Sequence, residues 1–490
     1  MAVPTDSRPL IASTSPVAGL PRRQLPLLPV FAQSVAAVAP SGAAAVIPAL
    51  VITTAGGAGA ITAFACAALV ALLVSACLRP MAQRIAAVGG IYTYVARGLG
   101  PLAAVPTGWS AIIGYASVGM AGLVAVGTYL SNMVVSTGLT SNIPLASIIS
   151  VLLVASVVAS SVMMRGIRVS AWITLLVECI SIALLGVVLV LIFVGSLRSG
   201  APIASALDFR GDPQSMALSV VVAVSAFVGF ESSTTLSGEA RQPFRSVPLT
   251  IRWTPVVAGV LYMAAVTVLA IALADAPSVV ASSSTPFVTL LNSQHSVFLS
   301  AVLDLAIAAS FFACTVASVN ALVRVVFSMG REGVLPRFLG RTHPRYKTPA
   351  FAVAVAMTIV TATPAVVLIS GAAPDNALRI FLTLSACGYL GNYLAGCIAT
   401  PVLLHRIGES TKSAIALSVC TVTILAFLFA NAIYFAVRDG AVLLTVYGLL
   451  MAAAVIYTAI LRAFAPRRLD AVGVYDETQR GDLLNTVPFR

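Results

Sequence analysis

With 490 residues, 59% of them hydrophobic and only 9% charged, and a mean hydropathy of +1.02, the chain is too apolar for a water-soluble domain and has the composition of a polytopic membrane protein. Its 28 Lys and Arg against 16 Asp and Glu give a net charge of +12, yet no basic stretch interleaved with aromatic residues occurs, which argues against a nucleic-acid partner. The seven cysteines stand singly in apolar stretches without a CxxC pair, and no HExxH, GxSxG or Walker motif is present, so no catalytic residue, cofactor or metal site is expected.

A spanning helix takes about 20 mostly apolar residues. Runs of that length predict twelve spans, at 27–53, 57–78, 102–134, 142–163, 168–196, 213–240, 249–273, 297–328, 349–371, 377–404, 411–437 and 440–464. Residues 1–26 read as a polar, Pro/Ser-rich tail. Its Arg22-Arg23 pair precedes an apolar run too long for an export signal, so that run is the first span. Pro40-Ser41-Gly42 sits in the middle of this span, where proline removes a backbone donor and clashes with the preceding turn, so a break is predicted near Ser41. The sixth span is interrupted too. Its apolar run meets Glu231 and the hydroxyls of Ser232, Ser233, Thr234 and Thr235, with Gly229 just before them. An ionised group at the bilayer centre costs about 2.5–3.5 kcal/mol, so Glu231 must face protein, water or ligand. The hydroxyls and Gly229 compete with helical hydrogen bonding, and such a break at membrane depth marks a binding site. From Asp275 to Ser296 a long connection holds an apolar piece, Pro286 to Leu291, read either as a short lid helix or as plain loop. Residues 466–490 form a second polar tail.

Basic residues fix the orientation. Only Arg198, Arg210, Arg379 and Arg438 fall on one set of alternate connections, and the other 24 lie in the tails, in the opposite loops or near helix ends on that side. Loops rich in Lys and Arg stay in the cytoplasm, which puts both termini there and the chain in the plasma (inner) membrane. The two interruptions stand 190 residues apart, with five spans from each break to the end of its unit. Five is odd, so the second unit enters the membrane from the opposite side. The expected fold is therefore an all-α membrane protein of twelve transmembrane helices, in a five-plus-five inverted repeat with helices 1 and 6 broken. The core runs over 27–404, as repeats of about 27–196 and 213–404, and two additional C-terminal helices occupy 405–465.

Three segments then resemble the amino acid–polyamine–organocation superfamily of secondary transporters. They are FVGFESSTTLSGEARQPFRSVP around Glu231, AVGGIYTYVARGLGP at 87–101 and NALVRVVFSMGREGVLPRFLGRTHPRYKTP at 320–349. One departure is visible, since Ala39-Pro40-Ser41-Gly42-Ala43-Ala44 replaces the Gly-Ser-Gly-Ile-Phe style of many members at the first break. The resemblance implies transport of an amino acid or related amine by alternating access, the substrate carboxylate lying on the helix start at Ser41, Gly42 and Ala43. Freed carbonyls near Phe227, Gly229 and Phe230 would hold the ammonium group. The short APSGA and FVGFESS stretches, with no second acid evident beside Glu231, favour a neutral or small amino acid over a dication.

Two roles are open to Glu231: a cap on the second half of span six, or a protonatable group coupling occupancy to conformational change. Asp304 is the second coupling candidate. Thr315 and Ser318 are possible sodium ligands, although helix hydroxyls usually bond back to their own backbone. The coupling ion is thus H+ or Na+. Glu178, Asp304, Asn320 and Arg324 can also satisfy one another within the bundle. Tyr389 and Tyr393, four apart, share a helix face and either close the pocket or simply pack. Glu239, Arg241, Arg245 and the loop from Arg331 to Lys347 either lock an inner gate by ion pairs or anchor lipid headgroups. A membrane enzyme is disfavoured because His295, His343 and His405 lie in loops or at their edges. The alternatives kept are a membrane sensor on the same fold and an amine or polyamine exchanger; nothing in the sequence fixes an oligomeric state.

Overall fold

The computed structural model describes residues 19–136, 144–198, 213–274, 297–438 and 442–473. The predicted lid between Asp275 and Ser296 and most of both tails lie outside these residues. Among the described residues the chain is helical without strands, apart from an isolated bridge between Leu25 and Ala240. Ten helices are long and apolar enough to cross a membrane, and a shorter apolar helix covers Pro213–Ser225.

The first half comprises α1 (Leu27–Val38), α2 (Pro40–Ala82), α3 (Ile91–Leu99), α4 (Pro101–Ser136), α5 (Leu145–Met164) and α6 (Ile167–Arg198). Next come α7 (Pro213–Ser225), a 3-10 turn at Ser232–Leu236, α8 (Pro243–Leu273) and α9 (Val297–Arg331). A second 3-10 turn at Arg337–Gly340, then α10 (Ala350–Ile369), α11 (Pro374–Arg406), α12 (Lys412–Arg438), α13 (Val442–Phe464) and the short α14 (Pro466–Asp470) complete the chain. From the third span on, the predicted limits lie within a few residues of these helices, except that α7 ends at Ser225, fifteen residues before the predicted 240, and α8 begins six residues before the predicted 249; the first two predicted spans fall on α1 and a single long α2.

The first break falls at Ala39, two residues before Ser41 and so near the predicted position. A residue before proline is pushed out of the helical region, and Ala39 takes left-handed angles of φ 48 and ψ 57. Pro40 has no N–H to lose at a helix start, so it opens α2 instead of interrupting it. A second reorientation follows at Gly56, whose φ of 71 and ψ of 179 only glycine tolerates easily, so α2 is two helical segments that meet at Gly56.

The bundle is centred on α4 and α9, which pack on each other; α11 lies against α4, and α2 against α8. Small residues let backbones touch, the usual way helices associate without a hydrophobic drive between them. A Cβ on Gly388 would stand 2.5 Å from the Gly114 nitrogen. Large apolar side chains point outward instead, among them Val154 and Val157 of α5, Leu176 and Val187 of α6, Phe427 of α12 and Ile456 of α13. Both described chain ends meet at one end of the bundle. There Leu25 pairs with Ala240, and the Gly473 N–H donates to the Glu332 carboxylate at 3.0 Å.

Candidate substrate and coupling site

Two helices come apart beside each other at the bundle centre. After α1 stops at Val38, its last carbonyls are met by neighbours: the Cys314 thiol reaches the Ala37 carbonyl at 3.2 Å, and the Tyr262 hydroxyl lies 3.3 Å from that of Val38. Residues 226–231 beyond α7 are turn, with Gly229 at φ 96, and the span resumes as a 3-10 turn. The helical part of this span thus ends at Ser225, earlier than the predicted Phe227 to Phe230, because the Gly229 conformation and the hydroxyl cluster both disfavour continuation. Tyr262 also donates to the Ala226 carbonyl at 2.8 Å, so one hydroxyl spans the ends of both broken helices. The breaks touch directly as well. Ser34 Oγ accepts from the Ser233 N–H at 3.0 Å, and Ser232 Oγ donates to the Gln33 carbonyl at 3.2 Å.

Glu231 is fully buried and makes no cap bond to the following 3-10 turn, so the capping role is withdrawn. Its carboxylate turns away toward α4 and α11, where two tyrosines supply the hydrogen bonds that a buried carboxylate needs. Tyr115 donates at 2.9 Å and Tyr393 donates to the other oxygen, while Tyr393 Oη accepts the Gly229 N–H at 3.1 Å. Tyr393 also meets Phe230 in a tilted ring contact at 5.5 Å, and Tyr389 meets Tyr115 edge-on at 5.2 Å. Phe227 packs edge-on against Tyr262 at 5.0 Å. Tyr393 is thus a polar partner of the break, beyond plain packing.

On the other side of the first break stands Glu178 of α6, also buried. Its Oε1 accepts from the Ser41 N–H at 3.4 Å, from Ser41 Oγ at 3.2 Å and from Ser310 Oγ at 2.9 Å. Ser310 in turn accepts the Gly42 N–H at 3.1 Å, and the Ala43 N–H goes to the Ala39 carbonyl at 2.8 Å. The expected mutual pairing of Glu178, Asp304, Asn320 and Arg324 is not what the fold makes. Asn320 donates to Ser170 at 3.2 Å, and Arg324 makes a buried ion pair with Glu239 at 2.8 Å. Nor is a second acid absent from the breaks, since Glu178 reaches the first of them from α6, far from either break in sequence. Ser310, Tyr115 and Tyr262 also escaped the sequence reading. A partial signal existed in α9, where Ser310, Cys314 and Ala317 follow one helix face.

The remaining predicted residues separate. Asp304 is fully buried seven residues from Phe311, about 10 Å along α9, and neither of its oxygens has a hydrogen-bond partner. Thr315 bonds back to the Phe311 carbonyl at 3.0 Å, and Ser318 lies 3.8 Å from the Cys314 sulfur. Between the broken ends a cavity of about 30 Å³ is lined by Ala37, Ala39, Ala43, Ser225, Val228 and Phe311, among others. That is room for about one water molecule. A larger groove of about 440 Å³ runs between α4, α5, α6 and α9, but its lining is apolar except for Ser150, and Val154 and Leu305 open it to the lipid-facing surface. The chemistry lies at the smaller cavity. At the end of the bundle that carries both chain ends, Glu239 pairs with Arg324 of α9, not with Arg241, Arg245 or the 331–347 loop.

Comparison with known proteins agrees with this architecture. A family model described as amino acid permease matches residues 33–464. Over 321 residues the chain is 28% identical to a Mycobacterium tuberculosis protein named an uncharacterized transporter, covering 65% of this chain and 68% of that one. It is 25% identical over 296 residues to the low-affinity putrescine importer of Escherichia coli, covering 59% and 63%. The methylthioribose transporter of Bacillus subtilis is 24% identical over 322 residues, covering 62% and 66%. With ten apolar helices among the described residues the chain is a multi-pass membrane transporter, and it belongs to the amino acid permease family of the amino acid–polyamine–organocation superfamily.

Proposed function

We propose that the protein is a secondary active transporter that moves an amino acid or related amine by alternating access. One observation carries the reading: two helices lose their regular structure side by side at the bundle centre, and Tyr262 joins their ends. Dividing α2 at Gly56 and counting the interrupted α7 segment as one crossing gives twelve, with repeats of about 27–196 and 213–404 and two further helices after them. In this reading both termini are cytoplasmic and the membrane is the plasma (inner) membrane. Substrate sits between the breaks, near Ser41, Gly42, Ala43, Phe227, Gly229 and Phe230, and the small cavity there is the closed form of that site.

Glu231 is the coupling group. Its tyrosine partners come from α4 and α11, so a change in its protonation alters hydrogen bonds to two helices at once. Asp304, buried and without a partner, is the second protonatable group. A proton is favoured as the coupling ion because two buried carboxyl groups, Glu231 and Asp304, are there to carry it. Uptake of a radiolabelled panel of amino acids and amines into proteoliposomes, under separate proton and sodium gradients, tests the reading. Gradient-driven accumulation of at least one compound is expected; binding without flux would overturn it.

A further inference from the structure

The start of α2 is already holding a carboxylate. A helix N-terminus offers unpaired N–H groups and partial positive charge, which is why a substrate carboxylate is expected there. In this fold, however, Pro40 has no N–H to give, the Ser41 N–H goes to Glu178, the Gly42 N–H to Ser310 and the Ala43 N–H to Ala39. Ser310 passes its own proton on to Glu178, so three donors converge on a single oxygen, Oε1. The other oxygen, Oε2, is buried and has no hydrogen-bond partner.

The electrostatics run the same way. Glu178 and Glu231 flank the break from opposite sides, and both are buried. Among the described buried residues the basic side chain is Arg324, and Glu239 holds it. A carboxylate brought to the start of α2 would find no free amide in its first turn and no unpaired buried cation among the described residues, and Glu178 already stands there. The Glu178 Oε2 atom, by contrast, is buried without a partner, which is costly, and a cation brought to it relieves that cost.

We infer that Glu178 supplies from within the protein the carboxylate that the broken helix is built to hold, so the substrate of this site is an amine bearing no carboxylate of its own. The inference rests on the transporter reading above and narrows its substrate class.

Matched pairs differing by one carboxylate test it: putrescine with ornithine, agmatine with arginine, isobutylamine with valine and tyramine with tyrosine. Binding to the purified full-length protein is measured by calorimetry, and flux separately in proteoliposomes. At least one amine should bind ten times or more tighter than its amino acid, and Glu178→Gln should reduce that ratio at least threefold. If Glu178→Gln does not fold, Ser310→Ala, which frees the Gly42 N–H and leaves the charge in place, should narrow the ratio. Amino acids binding as tightly as their amines, no binding of any amine at millimolar concentration, or a ratio unchanged in the variant overturns the inference. Flux of amino acids would sink the amine assignment while leaving the transporter standing. Amines that bind and are never moved would do the reverse.

Discussion

Replacing Glu231 by glutamine keeps the shape of the side chain and removes its charge. In the native fold both tyrosines donate to the carboxylate, and Tyr393 Oη is held as an acceptor of the Gly229 N–H. Glutamine offers one oxygen and one NH2 group. Whichever tyrosine faces the NH2 group loses its acceptor, and a buried donor left without one costs about 1–3 kcal/mol. At about 1.4 kcal/mol per tenfold, that is roughly 5- to 150-fold in the balance between conformations that keep this network and those that break it. Proteoliposomes loaded at a series of pH values measure the consequence. The variant should remain folded, its uptake should fall by at least fivefold, and its dependence on pH should flatten because the titrating group is gone. Uptake kinetics equal to wild type at every pH would refute the assignment of Glu231 as the coupling group.

Gly229→Ala places a side chain at φ 96 with its Cβ 3.0 Å from the Ala37 carbonyl oxygen. A left-handed non-glycine residue costs about 1–2 kcal/mol before any clash, so lower thermal stability and weaker uptake are expected, measured by melting in detergent and by flux. Glu239→Gln leaves Arg324 buried without its counter-charge, a loss of about 3–5 kcal/mol, whereas pairing it with Arg324→Met should recover part of the stability in a double-mutant melting series. Melting midpoints that add independently would show that the two side chains do not act as a pair. Gly388→Ala forces a methyl to within 2.5 Å of the Gly114 nitrogen, and a lowered melting midpoint should follow because backbone has no rotamer with which to yield. Arg84→Ala, by contrast, removes a partly exposed ion pair with Glu409 and should change the midpoint little, by about 1 kcal/mol or less in stability.

Local chemistry decided what the sequence could show of this protein. Spans depend on runs of apolar residues against a fixed bilayer thickness, so the all-helical membrane class and most helix limits were readable, and the family resemblance rested on short contiguous motifs. Both interruptions were readable for the same reason, since proline at 40 and glycine at 229 act on the backbone beside them. Even there the three-dimensional chain set the details, moving the first break to Ala39 and ending α7 at Ser225. Partners were a different matter. Glu231 finds Tyr115 and Tyr393 116 and 162 positions away, and Glu178 finds Ser41 and Ser310 at 137 and 132. No local pattern encodes such distances. Which carboxylate caps the opened helix, which tyrosines hold the other, and which acid neutralises Arg324 follow from how α4, α6, α9 and α11 pack around the breaks. Burial in a low-dielectric bundle then compels each polar group to take whatever partner that packing delivers.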